Sequence, residues 1–288
     1  MPLTEVDDFG MTAVLALAAS AFWGASDFMG GAVSRRLAAF DVIFVSQALA
    51  VLILGFAAFA SGAWTAPPEY VPWAIAAGIV GVLSVGAFYQ ALATGTMGVV
   101  APIAASGVVV PLVVGVAQGN RVGMLQVAGI ALAVAGVVAA SGPDLRQGAS
   151  VRPIVLAVLA AAGFGAGVVF IAQASRTNVV MSLLTLRITS VGCLAIAAIV
   201  LRRRPRVGRS DLPSLAVIGI CDLAANAAYA TSTTRGTLSL VAVLASLYPA
   251  VTVLLARQLH AERLSSLQAG GATAAVLGAA LIAAGGTG

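Results

Sequence analysis

The sequence has no lysine, one histidine, two cysteines and ten carboxylates in 288 residues. Charged residues make up 9% of the chain, against about 25% in a soluble domain. A water-soluble surface cannot be assembled from so few, which excludes an ordinary globular enzyme. The fifteen cations are all arginines, gathered in short loops between apolar runs. They form no continuous basic face, which excludes nucleic acid as a partner despite a pI near 10.0. The single His260 lies in or beside a loop, and Cys193 and Cys221 fall inside apolar runs without metal or redox spacing. No His-based dyad or metal cluster can be built within a span, so neither a metal nor a cofactor is expected. Both cysteines read as small buried hydrophobes. No glycine-rich phosphate loop follows a strand, and no alternating strand pattern suggests a barrel.

What is present is apolar sequence: 60% of the residues, with a mean hydropathy of +1.05. A helix needs about 20 apolar residues to cross a hydrocarbon core of roughly 30 Å, and the gaps between charges delimit such helices. Residues 42–68 and 70–120 are free of charge, and the longer gap divides at Thr94-Gly95-Thr96. The reading is an all-α integral membrane protein with ten transmembrane helices, at 11–33, 39–61, 70–93, 97–117, 122–141, 153–175, 179–201, 211–233, 237–257 and 264–285. The first follows Glu5, Asp7 and Asp8, not a basic segment, so no cleaved leader is expected.

A shift of about 141 residues aligns the two halves. Ser-Ala-Phe-Trp-Gly-Ala (20–25) falls on Ala-Ala-Gly-Phe-Gly-Ala (161–166), Ser34-Arg35 on Ser175-Arg176, and Gly95-Thr96-Met97 on Gly236-Thr237-Leu238. The repeats are 11–141 (helices 1–5) and 153–285 (helices 6–10). Five helices per half is an odd number, so the second half must enter the membrane inverted. Two inverted five-helix repeats, related by a pseudo-two-fold axis in the membrane plane, are a carrier architecture.

The end of the second repeat, Ala-Glu-Arg-Leu-Ser-Ser-Leu-Gln-Ala-Gly-Gly (261–271) after Leu-Tyr-Pro-Ala-Val-Thr-Val-Leu-Leu-Ala (247–256), resembles an EamA repeat. That repeat defines a family within the drug/metabolite transporter superfamily. Ala-Phe-Trp-Gly-Ala-Ser (21–26) is similar to the family's first helix. The family's Gly-Glu-Arg turn stands here as Ala261-Glu262-Arg263 in the second half. In the first half it is Gly119-Asn120-Arg121, without the carboxylate. The resemblance implies a cavity built by helices 1, 3, 4, 6, 8 and 9. It also implies a secondary transporter, an exporter of small amino-acid-like or amphipathic metabolites or drugs, working as a monomer in the bacterial inner membrane.

Orientation follows from arginine counts. Loops 1–2, 5–6, 7–8 and 9–10 hold 11 arginines and the opposite side holds Arg121, Arg176 and Arg235. The count places both termini together, on the outer side.

Ionisable groups inside spans are costly and mark solute or ion pathways. There are three: Asp27, Arg187 and Asp222. Asp27 shares a helix face with Ser20 and Trp23, and Asp222 shares one with Asn226 and Tyr229. Their repeat equivalents are Val168 and Gly81, so neither charge follows from the internal symmetry. Two readings stand for Asp222: a cavity group, which would tolerate replacement by Asn, or a structural partner of Arg187. Asp27 is either a cavity group or a surface partner of Arg35. Arg187, near the start of its helix, reads as snorkelling or paired. A carboxyl group in such a cavity could exchange a proton for substrate, with protons as the coupling ion.

Trp23, Phe88, Tyr89, Phe164, Tyr229 and Tyr248 could shape a substrate pocket, with Gln90 and Ser106 adding hydrogen bonds. Trp64, Tyr70 and Trp73 fit an interfacial belt. Pro102, Pro111 and Pro249 lie inside helices 4 and 9, where kinks could gate the cavity. Gly115–Gly119 and Gly163–Gly167 permit close helix approach. Two rival classes remain: an intramembrane enzyme using Asp27 and Asp222 as a carboxylate dyad, and a passive channel.

Overall fold

Helices dictated by hydropathy should carry ordinary helix-end signals, and they do in a computed structural model. It describes residues 3–117, 123–125, 127–129, 131–132, 135–136, 139, 151–236, 238–259 and 266–284. The helices are α1 (Leu3–Ser34), α2 (Ala39–Ser61), α3 (Val71–Thr94), α4 (Met97–Ala105) and α5 (Val109–Ala117) in the first half. The second half supplies α6 (Arg152–Ser175), α7 (Val179–Val200), α8 (Leu212–Thr233), α9 (Leu238–Ala245), α10 (Tyr248–Leu259) and α11 (Ser266–Ala284). No strand occurs among the described residues. Proline in the first turn opens α3, α6 and α8, where its missing N–H costs nothing. The side chain of Asn178 caps α7 by accepting from Met181 N at 3.0 Å. Gly62, with φ +67°, ends α2 by donating to Ala58 and Phe59 carbonyls.

Six helices are long and apolar enough to span a bilayer among the described residues: Gly10–Ser34, Ala39–Ser61, Pro68–Thr94, Arg152–Ser175, Val179–Val200 and Arg209–Thr233. These coincide with expected helices 1–3 and 6–8. Expected helices 4 and 9 are each broken into two. A 3-10 turn at Ser106–Val108 separates α4 from α5, and Ser246-Leu247 separates α9 from α10. Proline explains both breaks. Pro111 and Pro249 remove the amides that would bond the carbonyls of Gly107 and Ala245, four residues earlier, where regular helix stops. They therefore sit in the first turns of α5 and α10 instead of kinking continuous helices. Pro102 lies within α4; nothing is described of its side chain or of that of Pro249. Most of the expected helix 5, the Gly119–Arg121 and Ala261–Arg263 turns, and His260 lie outside the described residues.

Interhelical packing obeys the 141-residue shift. α1 packs on α8 as α6 packs on α3, and α2 packs on α8 as α3 packs on α7. The close approaches are equivalent in atomic detail. A Cβ on Gly24 would strike Tyr248 O and Val251, while one on Gly165 would strike the equivalent Gly107 O and Val110. The first helices of the halves run in opposite directions. Gly31 near the end of α1 meets Leu92 near the end of α3, so these two run together. α3 opposes α6, because Tyr70 at its start packs against Ala174 while Gly95 at its end meets Pro153. The outer surface stays apolar: Leu52, Phe56 and Phe59 of α2 are 71, 75 and 80% exposed, as lipid-facing side chains should be.

Candidate transport cavity

Two buried apolar clusters meet at one residue. One surrounds Phe88, Ile43 and Ile103, the other Tyr229, Leu183 and Leu186, and Trp23 packs against both. A cavity opens at this seam. Its volume is about 110 Å³, room for several waters or a small solute. α1, α2, α3, α6, α7, α8 and α10 all contribute to its wall.

Its polar groups come from both halves. α1 presents Trp23 and, one turn later, Asp27. Asp27 shares the cavity wall with Asp222, Tyr89 and Tyr248. α8 presents Asp222 and Asn226, whose Nδ2 donates to Asp222 Oδ1 at 3.0 Å and to the Asp222 carbonyl at 2.7 Å. α7 presents Arg187, with Nη2 2.6 Å from Asp222 Oδ2. Gln47 of α2, Ser190 of α7 and Tyr248 of α10 complete the polar lining. Ser190 is satisfied by donating to Gly78 O at 2.9 Å. Gln47 Oε1 and the Tyr248 hydroxyl are buried without a hydrogen-bond partner.

Of the residues singled out from sequence, Trp23, Asp27, Tyr89, Phe164, Asp222, Asn226 and Tyr248 line this cavity. Tyr229 and Pro111 line a smaller adjoining one, which Trp23, Phe164 and Tyr248 share. Phe88, fully buried, supports Phe164 from behind, edge-on at 5.4 Å. Gln90 and Ser106 line neither cavity, and the Ser106 hydroxyl is spent on the Ile103 carbonyl at 2.7 Å. Arg187 does not snorkel: it is 4% exposed and paired with Asp222, so both sequence readings of Asp222 hold together. Asp27 faces the cavity and has no bond to Arg35. Tyr70 is buried against Ala74 and Ala174, whereas Trp64 and Trp73 are exposed as a belt would have them. Gly163 presses on Ser84 as expected for close approach, but Gly167 borders open space in the cavity. Cys193 and Cys221 are free and only partly buried. Gln47 was missed by sequence reasoning; a lone amide inside the charge-free run 42–68 was its signal.

A set of ion pairs gathers at one end of α1, α2, α7 and α8. Arg36 pairs with Asp211, and Arg203 lies 3.5 Å from Asp41 while covering the Phe40 ring at 4.9 Å. Asp41 Oδ2 also accepts from Arg206 N at 3.4 Å, and Asp211 Oδ2 from Gly208 N at 3.2 Å. The two carboxylates are nearly buried, at 5 and 9% exposure. This clasp ties the α1–α2 connection to the α7–α8 connection. The repeat equivalents Thr177, Ser182, Gly62 and Tyr70 carry no charge.

An all-helical, two-halved bundle with buried charges around a seam cavity defines a polytopic membrane protein of the carrier type. The EamA-like transporter family profile matches the chain twice, over residues 10–142 and 151–284, and the chain belongs to that family. A solved crystal structure shares the fold at a TM-score of 0.66 and 20% identity, over 94% of this chain and 94% of that one. No functionally curated protein matches the chain in sequence.

Proposed function

We propose that the protein is a secondary transporter that carries a small solute through the seam cavity by alternating access. The cavity carries this reading: polar groups from both halves converge on it, and these halves interchange their helix contacts under the repeat. Ten spans in two inverted repeats, 11–141 and 153–285, would place both termini on one side of a bacterial inner membrane. Export, a monomeric state and proton coupling through Asp27 belong to the same reading. The enzyme alternative loses support from the pairing of Asp222 with Arg187, since no hydrogen bond joins Asp27 to Asp222 among the described residues. A carboxylate held by a guanidinium is a poor half of a proton-sharing dyad. The test is flux into proteoliposomes across amino acids, nucleosides and amines, with and without a pH gradient. Saturable, selective flux supports a carrier. Non-saturable leakage would establish a channel, and no flux above protein-free vesicles would overturn the reading.

A further inference from the structure

The cavity's charges do not balance. Two carboxylates and one guanidinium face it, and the guanidinium is ion-paired: Arg187 Nη2 lies 2.6 Å from Asp222, while Arg187 Nε is buried without a hydrogen-bond partner. Asp27 has neither a cationic partner nor a hydrogen-bond donor among the described residues, while Asp222 lies near enough to repel it. A carboxylate enclosed by apolar walls needs a counter-charge, a donor or a proton. Two further groups lack partners. Gln47, 4% exposed, has an unpaired Oε1, and the Tyr248 hydroxyl, on a side chain 8% exposed, is equally unsatisfied. Aromatic rings surround the lone carboxylate. Trp23 stands one turn before it, Tyr248 meets Trp23 edge-on at 6.5 Å, and Tyr89 and Phe164 face the same space. Ring faces attract cations, the more so where water is displaced.

We infer that the cavity binds a small organic ammonium, an amine with at least one N–H donor and an apolar body, through Asp27, the aromatic rings and Gln47. The inference rests on reading this cavity as the solute site. An anion is disfavoured because it would meet two carboxylates and a guanidinium already paired. A zwitterion gains the ammonium contact but brings a third carboxylate beside Asp27 and Asp222, with only Arg187 Nε open to receive it. The ammonium alone neutralises Asp27, donates to an open acceptor and sets its apolar part against Val85, Val168 and Ile171.

The test is a ligand series matched in shape, titrated into the full-length protein in detergent by calorimetry: 2-phenylethylamine, 2-phenylethanol, 3-phenylpropanoate and phenylalanine. The amine should bind at least tenfold more tightly than each of the others. In Asp27→Asn the amine should fall to the level of the alcohol. Alcohol or phenylalanine binding as tightly as the amine would overturn the inference, as would an amine advantage that survives Asp27→Asn. Displacement of the amine by equimolar sodium or potassium would also overturn it, since the site would then take any monovalent cation. Should Asp27→Asn fail to fold, the series on the unaltered protein decides the ligand class by itself. Amine binding without flux would sink the carrier reading and leave this inference standing. Saturable flux of a neutral or zwitterionic solute without selective amine binding would do the reverse.

Discussion

Arg187 Nη2 stands 2.6 Å from Asp222 Oδ2, joining α7 to α8 across the wall of the cavity. The two side chains are unequally placed, Arg187 at 4% exposure and Asp222 at 23%. The guanidinium is therefore the member that is costlier to leave alone, because it is the less exposed of the two.

The first expected outcome follows from that asymmetry. Asp222→Asn should cost about 3–5 kcal/mol by stranding a buried cation, seen as a lowered melting temperature in detergent. This reverses the tolerance expected for a cavity carboxylate alone. Replacing both members, Arg187→Met with Asp222→Leu, should recover most of the loss while abolishing flux. An Asp222→Asn protein as stable as the unaltered one would show that the pair holds nothing together.

Glycines at the helix crossings should differ from those at the cavity. A Cβ on Gly165 would strike the backbone carbonyl of Gly107, which cannot step aside. Gly165→Ala and Gly24→Ala should each lose about 1–3 kcal/mol. Gly81 has nothing within 4 Å of its Cβ position, so Gly81→Ala should be neutral or gain up to about 1 kcal/mol from helix propensity. Thermal unfolding of the three variants side by side reads this order.

Filling the same open space should separate folding from transport. Gly81→Leu points a branched side chain into a cavity of about 110 Å³. Its melting temperature should stay close to that of the unaltered protein while saturable flux in proteoliposomes falls at least tenfold. Full flux would mean that solute takes another route.

The clasp should answer unequally to its two kinds of partner. Arg36→Ala leaves the nearly buried Asp211 without a cation and should cost about 1–3 kcal/mol. Asp211→Asn keeps an acceptor for Gly208 N and returns Arg36, 55% exposed, to water, so it should cost under about 1 kcal/mol. Equal losses from the two variants would show that the interaction is an ordinary surface pair.

Much of this was legible in advance because it rests on local chemistry. A run of apolar residues between charges locates a membrane helix wherever it packs, and α1–α3 and α6–α8 fall where the gaps between charges put them. Trp23 and Asp27 were traceable because helical spacing places them on one face. The breaks at Ser106–Val108 and Ser246-Leu247 were not legible. A proline signals a lost hydrogen bond, but whether the helix bends or stops depends on the neighbours pressed against it, here the Ala161 backbone on Gly107. Gln47 escaped for a related reason. Sequence shows that a polar group lies inside an apolar helix, but only packing shows which way it faces. Gln90 and Ser106 illustrate the converse, polar residues that line neither cavity.

The clasp has no charged counterpart at the repeat-equivalent positions. Its repeat equivalents, Thr177, Ser182, Gly62 and Tyr70, cannot form ion pairs. A carrier whose two postures arise by exchanging the roles of equivalent halves would otherwise spend equal time in each. Under the proposed alternating access, this posture gains two ion pairs that the repeat-equivalent positions cannot supply, which favours it over the other. In that proposed scheme a solute arriving at the opposite face meets the cavity already presented to it. One arriving at the clasped face must first part Arg36 from Asp211 and Arg203 from Asp41, and its apparent affinity is weaker by that cost.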